Sequence, residues 1–203
     1  MRLLIIITAL LTSPAQAGPQ FQDLSSGFPD HSYSGEWNHF VGGGVAVMDC
    51  NGDALPDIFA AGGSQPAALF VNQGDFAFTT AALPKIIDTT GAYPIDINAD
   101  GYMDLFVLRI GPNVVLKGGP DCSFTDATME FKLPGADQWS TAFSAWWRDD
   151  SLPHMAVGYH ADLKNQDVPY LSCEPLPFLI PSPLSYSSYS PAPEFSTPST
   201  HTL

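Results

Sequence analysis

The same acidic pattern occurs twice in this chain of 203 residues. Asp49–Asp57 and Asp96–Asp104 both read D-x-N-x-D-x-x-x-D, and each runs directly into a short apolar segment. Oxygen side chains at alternate positions of a short loop suit a hard cation such as Ca²⁺, because this ion binds several oxygens at about 2.3–2.6 Å. Two copies in the same register also indicate an internal repeat, and periods of about 20–50 residues are typical of solenoids, propellers and arrays.

The repeat extends beyond the acidic pattern into four short apolar runs per unit. Gly, Asn, Asp and Pro separate these runs, as is typical of strands joined by tight turns, and no longer segment carries helical spacing. Four strands in about 45 residues match one propeller blade, so the sequence predicts an all-β fold of four-stranded antiparallel blades. The runs lie at 45–48, 58–61, 68–72 and 76–79 in the first unit, and at 92–95, 105–108, 113–117 and 122–126 in the second.

A third, degenerate unit follows the two good ones. Leu152–Gly158 aligns with Leu55–Ala61, and Asp150 then takes the position of Asp53 and Asp100. Arg148 is itself a cation and His154 replaces the last carboxylate, so we expect strands without a metal here. Two good repeats and a poor third predict an incomplete propeller, whose open blade edges favour self-association. In this alignment Trp146, Arg148, Asp150 and His154 take the positions of Asp49, Asn51, Asp53 and Asp57.

Residues 1–17 are typical of a signal peptide. A basic start at Arg2 precedes an apolar run from Leu3 to Leu11, and Ala15-Gln16-Ala17 forms a small-residue cleavage site. Cleavage after Ala17 predicts a secreted or periplasmic protein, and a buried N-terminal strand is the alternative. No later apolar run is long enough to cross a membrane.

The C-terminal residues 173–203 differ in composition from the repeats. They are rich in Pro and Ser, and such a segment has little apolar surface to bury. We therefore predict a disordered tail, with an aberrant end to a longer gene product as the alternative. The propeller blades then occupy residues 18–172.

The net charge limits the kinds of partner, and the cysteine content limits the disulfide and zinc bonding that the chain can form. The formal net charge of -14 disfavours phosphate contacts, which need clustered Lys and Arg, so we expect no nucleic-acid partner. Cys50, Cys122 and Cys173 allow at most one internal disulfide, and the sequence alone does not choose the pair. No cysteine or histidine spacing indicates zinc.

With these features in place, the chain resembles the FG-GAP/VCBS repeat proteins, and within them the group related to cartilage acidic protein and the ASPIC/UnbV proteins. The resemblance rests on Gly42–Val47, on the two acidic loops, and on Leu69–Asn72 ahead of Phe76–Thr79, and Phe124–Thr128 adds to it. It implies exported β-propeller blades with Ca²⁺ held in loops between strands. This chain departs from the family in its low number of blades.

The predicted metal ligands come from the loop pattern. An EF-hand is excluded because its twelfth position needs a Glu, and that position is Ala60 or Val107 here. An acidic turn that binds no metal is the simpler alternative, but two copies in register favour Ca²⁺. The predicted ligands are the side chains of Asp49, Asn51, Asp53, Asp57, Asp96, Asn98, Asp100 and Asp104, with the backbone carbonyls of Leu55 and Tyr102.

Catalysis has little support in the sequence, which contains no G-x-S-x-G, P-loop or H-E-x-x-H motif. We name no catalytic residue and no cofactor other than Ca²⁺. The sequence favours an exported calcium-binding module that binds or scaffolds a protein or glycan partner. A glycan-directed extracellular hydrolase built on the same scaffold is the alternative from another class, and a truncated fragment without function is a third.

Overall fold

The computed structural model describes residues 18–40, 42–133, 138–148, 152–162, 177–182 and 185–189. These residues form three four-stranded antiparallel sheets and short 3-10 turns, with no α-helix among them. The predicted all-β class is confirmed. No helix in these ranges has the length and apolar character needed to cross a membrane. The predicted signal peptide, residues 1–17, lies outside the described residues.

Each sheet is a meander in which consecutive strands pair, as in a propeller blade. Short apolar runs separated by turn residues give each blade its strands, and the antiparallel registers follow from the tight connections. Blade 1 contains β1 (Val45–Met48), β2 (Asp57–Ala60), β3 (Ala68–Asn72) and β4 (Phe78–Ala81). Blade 2 contains β5 (Thr89–Ile95), β6 (Asp104–Arg109), β7 (Val114–Gly119) and β8 (Ser123–Asp126). Blade 3 contains β9 (Gln138–Trp146), β10 (His154–Asp162), β11 (Phe178–Ser182) and β12 (Ser185–Tyr189).

The core lies between the blades rather than within them. We call the face of a blade that points toward the preceding blade its leading face, and the opposite one its trailing face. Phe59 on the trailing face of blade 1 packs in one cluster with Leu105 on the leading face of blade 2. Phe106 on the trailing face of blade 2 packs in a second cluster with Met155 of blade 3. Each is at most 1% exposed, and full burial of one such side chain contributes about 1.5–3 kcal/mol.

The first strands of adjacent blades approach closely near their starts. Gly44 N–H donates to the Thr90 carbonyl at 3.1 Å, and a Cβ on Gly44 would lie 2.7 Å from the Gly91 Cα. Glycine is therefore required where β1 enters beside β5. Thr90 Oγ1 in turn donates to the Ser140 carbonyl at 2.8 Å, which joins the start of β5 to β9.

The predicted disordered tail is wrong over two segments, 177–182 and 185–189. β11 and β12 complete blade 3, and Leu179 and Tyr186 are buried in the second cluster. Pro181 is tolerated because β10 pairs only with Phe178 and Leu179, so this proline lies in the part of β11 that faces β12 alone. The remaining residues of the predicted tail lie outside the described residues.

The register of blade 3 corrects the alignment of the degenerate unit. Trp146 pairs with His154 as Met48 pairs with Asp57. His154 therefore takes the place of the last acidic-loop residue, as predicted. Trp146 was predicted to take the place of Asp49, and this is wrong, because it is the last residue of β9 and the loop after it is one residue shorter. Asp150 lies outside the described residues.

Candidate metal-binding loops

The two acidic patterns form the loops between the first and second strands of blades 1 and 2. Loop 1 comprises residues 49–56 and loop 2 comprises residues 96–103. Because β1 and β5 begin side by side, the loops at their far ends lie on the same side of the blades. Asp49, Asn51 and Asp53 are exposed in loop 1, whereas Asp96 and Asn98 are half-buried and Asp100 is exposed in loop 2.

Loop 1 is held together by its own side-chain oxygens. Asp49 accepts hydrogen bonds from the Asp53 and Ala54 N–H groups at 3.2 and 2.9 Å. Asn51 Oδ1 accepts from the same Asp53 N–H at 3.1 Å, so oxygens of Asp49 and Asn51 lie against one nitrogen. Asn51 Nδ2 donates to Asp53 Oδ2 at 2.9 Å, and Asp53 Oδ1 accepts from the Leu55 N–H at 2.8 Å. The first three predicted ligands are therefore gathered in one network.

Loop 2 repeats these five hydrogen bonds, although loop 1 has a further one from Gly52 N–H to Asp49 Oδ1 at 2.7 Å. Asp96 accepts from the Asp100 and Gly101 N–H groups at 3.2 and 3.0 Å, and Asn98 Oδ1 accepts from Asp100 N–H at 3.1 Å. Asn98 Nδ2 donates to Asp100 Oδ2 at 2.8 Å, and Asp100 Oδ1 accepts from Tyr102 N–H at 3.0 Å. Since the residues between these positions differ in the two loops, the Asp and Asn side chains determine the loop shape.

The backbone of both loops turns through the left-handed region at the same two positions. In loop 1 these are Gly52 and Ala54, with φ of 78° and 66°. In loop 2 they are Ala99 and Gly101, with φ of 58° and 88°. Each loop thus has a glycine at one of the two positions and an alanine at the other, and the alanine is the strained residue of the pair.

The last aspartate of each pattern is placed differently from the others. Asp57 and Asp104 begin the second strands of their blades and are fully buried. In each, one carboxylate oxygen accepts from the second residue of the loop and the other accepts from the third strand, so the carboxylate clamps the loop to the hairpin. The donors are Cys50 N–H and Asn72 N–H for Asp57, both at 2.9 Å, and Ile97 N–H and Gly118 N–H for Asp104, at 2.9 and 2.8 Å.

The clamp leaves the ligand role of these two aspartates a prediction. A carboxylate oxygen has two acceptor positions, so one accepted hydrogen bond does not use it up. The ligand role of the Leu55 and Tyr102 carbonyls also stays a prediction, because the hydrogen bonds of the loop networks involve the N–H groups of these residues. What the structure does bring together in each loop is the first three side chains of the pattern.

Hydrogen bonding and burial move the pKa values of two carboxyl groups in these loops and of Asp104, which follows loop 2. Backbone hydrogen bonds, that of the Ala54 N–H first, hold the pKa of Asp49 below its usual range. Burial acts to raise the pKa of Asp100, but hydrogen bonds led by the Tyr102 N–H lower it overall. Burial raises the pKa of Asp104 to about 6 against its two hydrogen bonds. The lowered pKa values keep Asp49 and Asp100 charged at neutral pH, as a cation site requires.

A lysine stands beside loop 2. Lys117 Nζ lies 3.7 Å from Asp100 Oδ2 and 3.9 Å from Glu130 Oε1. Partly exposed pairs of this kind contribute at most about 1 kcal/mol. In the part of the chain that the structure describes, no ion pair involves loop 1. The Lys117 ammonium opposes a second cation at loop 2, and loop 1 is free of this repulsion.

A disulfide fixes loop 1 to blade 2. Cys50, the second residue of loop 1, is bonded to Cys122 with a Cα–Cα distance of 4.8 Å, which decides the pairing that the sequence left open. Asp57 Oδ2 lies 3.0 Å from Cys50 Sγ, but the oxidised sulfurs carry no hydrogen and offer no thiolate to a metal. In loop 2 the position of Cys50 is held by Ile97, which is buried against blade 3.

Comparison with known proteins finds one family model that is similar to the acidic repeat. Residues 49–107 match the family model of the FG-GAP-like repeat. The match begins at loop 1 and ends within β6, so it covers both loops and the strands between them. The predicted FG-GAP repeat is confirmed, whereas the narrower relation to the ASPIC/UnbV group stays a prediction. No curated protein matches the chain at a significant level.

Proposed function

We propose that loops 1 and 2 each bind one Ca²⁺ and that the chain is an exported binding or scaffolding module built from propeller blades. The observation that carries the metal proposal is the set of five hydrogen bonds that the two loops share. Two different sequences hold Asp, Asn and Asp side chains in the same arrangement, which a surface turn does not require.

The donor set fits a hard cation by its chemistry. In loop 1, Asp49, Asn51 and Asp53 offer only oxygen atoms to a metal, and two of them are carboxylates. Ca²⁺ takes six to eight oxygens in flexible geometry, whereas Mg²⁺ demands a smaller octahedron and gives up its water reluctantly. The exposed position of these side chains leaves room for bound water to complete the shell, so we expect Ca²⁺ to be preferred.

A bound cation would stabilise the blades rather than act on a substrate. Each loop gathers several negative carboxylates in a short segment, and a cation between them removes their mutual repulsion. The clamp residues Asp57 and Asp104 connect each loop to the third strand of its blade. Loop order is thereby linked to blade order, and binding free energy becomes folding free energy.

The binding and export parts of the proposal have separate support. The FG-GAP-like repeat and the stacked blades favour a module that presents surfaces to a protein or glycan partner. The Cys50–Cys122 disulfide suits an oxidising compartment, since disulfides persist outside the cytosol. Both observations agree with the signal peptide predicted at residues 1–17.

Thermal denaturation in defined metal tests the proposal. At free Ca²⁺ of 100 times Kd, each site adds about 2.7 kcal/mol to the free energy of unfolding. For a chain of this size, 1 kcal/mol shifts Tm by about 2–4 °C, so saturating Ca²⁺ should raise Tm by at least about 5 °C over protein in chelator. Mg²⁺ at equal concentration serves as the control and should raise it less. Identical melting curves in Ca²⁺ and in chelator would contradict the proposal.

A further inference from the structure

The three blades stack by one repeated interface, which has a leading half and a trailing half. In every blade the second and third strands pair one apolar couple on the leading face and another on the trailing face. The leading couples are Ile58–Phe70, Leu105–Leu116 and Met155–Leu179, and the trailing couples are Phe59–Leu69, Phe106–Val115 and Ala156–Phe178. The shared register means that the leading face of blade 1 is built like the two leading faces that are buried inside the stack.

No blade among the described residues covers the leading face of blade 1. Val45 and Val47 on β1 are 58% and 56% exposed. Residues 24–31 cover only the outer part of this face, where the Phe28 ring lies 4.6 Å from the Phe70 ring and 4.7 Å from the Phe78 ring. The inner part, along β1, remains open to a partner.

A groove runs between this covering segment and the sheet. Its volume is about 620 Å³, and Val47, Pro56, Ile58 and Phe76 are among the residues that line it. Phe76 is 66% exposed and has a φ of 57°, which is a strained conformation for an aromatic residue. The groove is therefore a mostly apolar surface adjoining loop 1.

The trailing face of blade 3 is the other half of the interface that no blade covers within the described ranges. Ile180 and Trp146 are 38% and 37% exposed, and the Trp146 and Phe178 rings lie 6.1 Å apart on this face. Ala156 stands at the position of the buried Phe59 of blade 1. The face thus has apolar walls around a small central residue, which can receive the bulky side chains of a leading face.

We propose that the leading face of blade 1 receives the trailing face of blade 3 from a second copy of this chain, so that two copies close head to tail into one ring. A second copy is favoured as the occupant because both halves of the repeat's own interface stand on every chain. Contacts between two different surfaces close into rings when the rotation allows it, and two copies give a blade number within the range of about four to eight found in propellers. The inference rests on the stacked blades and is independent of Ca²⁺ binding.

Light scattering on the full chain, with one charged variant on each face, tests this assembly. Val47→Glu alters the leading face and Ile180→Glu alters the trailing face. Both side chains are exposed, so each variant should still unfold in one cooperative transition, with a Tm lowered only by the loss of the stabilisation that dimerisation gives the wild type. A buried, unpaired carboxylate should weaken self-association about tenfold or more. Met129→Glu is the matched control, because Met129 is 88% exposed and lies on neither face.

The mixture of the two variants gives the decisive result. We expect the wild type and Met129→Glu to be dimers and each face variant to be a monomer, while an equimolar mixture forms a dimer through its one intact interface. A dimer of Ile180→Glu alone would indicate a leading-to-leading contact and overturn the proposal. A monomeric wild type, a monomeric mixture, or a wild-type mass that grows beyond two copies would overturn it equally. Calcium counts on the same samples keep this outcome separate from that of the metal proposal.

Discussion

The buried carboxylate of Asp57 allows the clamp to be tested apart from any metal. Asp57→Asn keeps the shape of the side chain but leaves one acceptor oxygen where the carboxylate has two. Both oxygens accept backbone hydrogen bonds in the structure, from Cys50 N–H and Asn72 N–H at 2.9 Å. One buried N–H would lose its acceptor and face an amide NH₂ group. A buried donor left unsatisfied costs about 1–3 kcal/mol, and hydrogen bonds to a charged group are the stronger ones, so we expect a loss of about 2–4 kcal/mol.

Thermal melts in excess chelator measure this loss without any contribution from ligation. The expected drop in Tm is roughly 4–16 °C, from the size scaling of about 2–4 °C per kcal/mol. Asp75→Asn is the matched control, because it makes the same chemical change at an exposed carboxylate and should shift Tm by less than about 2 °C. Equal melting temperatures for the two variants would refute the clamp.

Three further predictions concern the same loops. Burial raises the native pKa of Asp104 to about 6 from an ordinary 3.8. Between these pH values the folded state binds more protons than the unfolded state. The free energy of unfolding, measured in chelator, should therefore fall by up to roughly 3 kcal/mol as pH rises through that window. Urea midpoints at both ends of the window should show this fall in the wild type but not in Asp104→Asn. Replacing Cys50 and Cys122 by serine removes a cross-link across a sequence separation of 72 and should cost roughly 2–4 kcal/mol in the same urea assay, so unchanged midpoints would contradict a structural disulfide. Ala54→Gly relieves a φ of 66° and should raise stability by about 0.5–1 kcal/mol, whereas a lower Tm would show that the strain is absent.

The strands and the loop networks were predictable because they depend on local sequence. Alternating apolar residues and turn residues placed the strands of blades 1 and 2 within a few positions. The repeated Asp, Asn and Asp residues placed the loops, since their side chains bond to backbone atoms at most five positions away. Local contacts of this kind leave a pattern in a single sequence.

The buried role of Asp57 and Asp104 was not predictable in the same way. In the sequence, each looks like the Asp and Asn residues that precede it in the acidic pattern. Its second hydrogen-bond donor comes from the third strand, Asn72 or Gly118, and that contact exists only after the hairpin forms. The Cys50–Cys122 pair likewise depends on blade 1 lying against blade 2. The sequence did offer one signal: the apolar Ile97 aligns with Cys50, which indicates that this position of the loop points into a blade interface.

The tail prediction failed because composition outweighed pattern. Pro and Ser residues from 173 onward indicated disorder, yet Phe178, Leu179 and Ile180 form a short apolar run of the kind that made strands elsewhere in the chain. The predicted boundary at residue 172 left blade 3 two strands short of four. Counting strands per blade would have favoured assigning this apolar run to blade 3 as a strand. Leu179 is 2% exposed and packs against blade 2. The neighbouring blade therefore buries this run, although its flanking composition is typical of disorder.

The central claim is that two loops of one shape each hold one Ca²⁺, and counting bound metal tests it most directly. Native mass spectrometry after equilibration with Ca²⁺ and removal of free metal should find two ions on each wild-type chain. Asp53→Ala and Asp100→Ala should each retain one, and the exposed control Asp75→Ala should retain two. A wild-type chain that carries no Ca²⁺, or loop variants that carry as many ions as the control, would contradict the account.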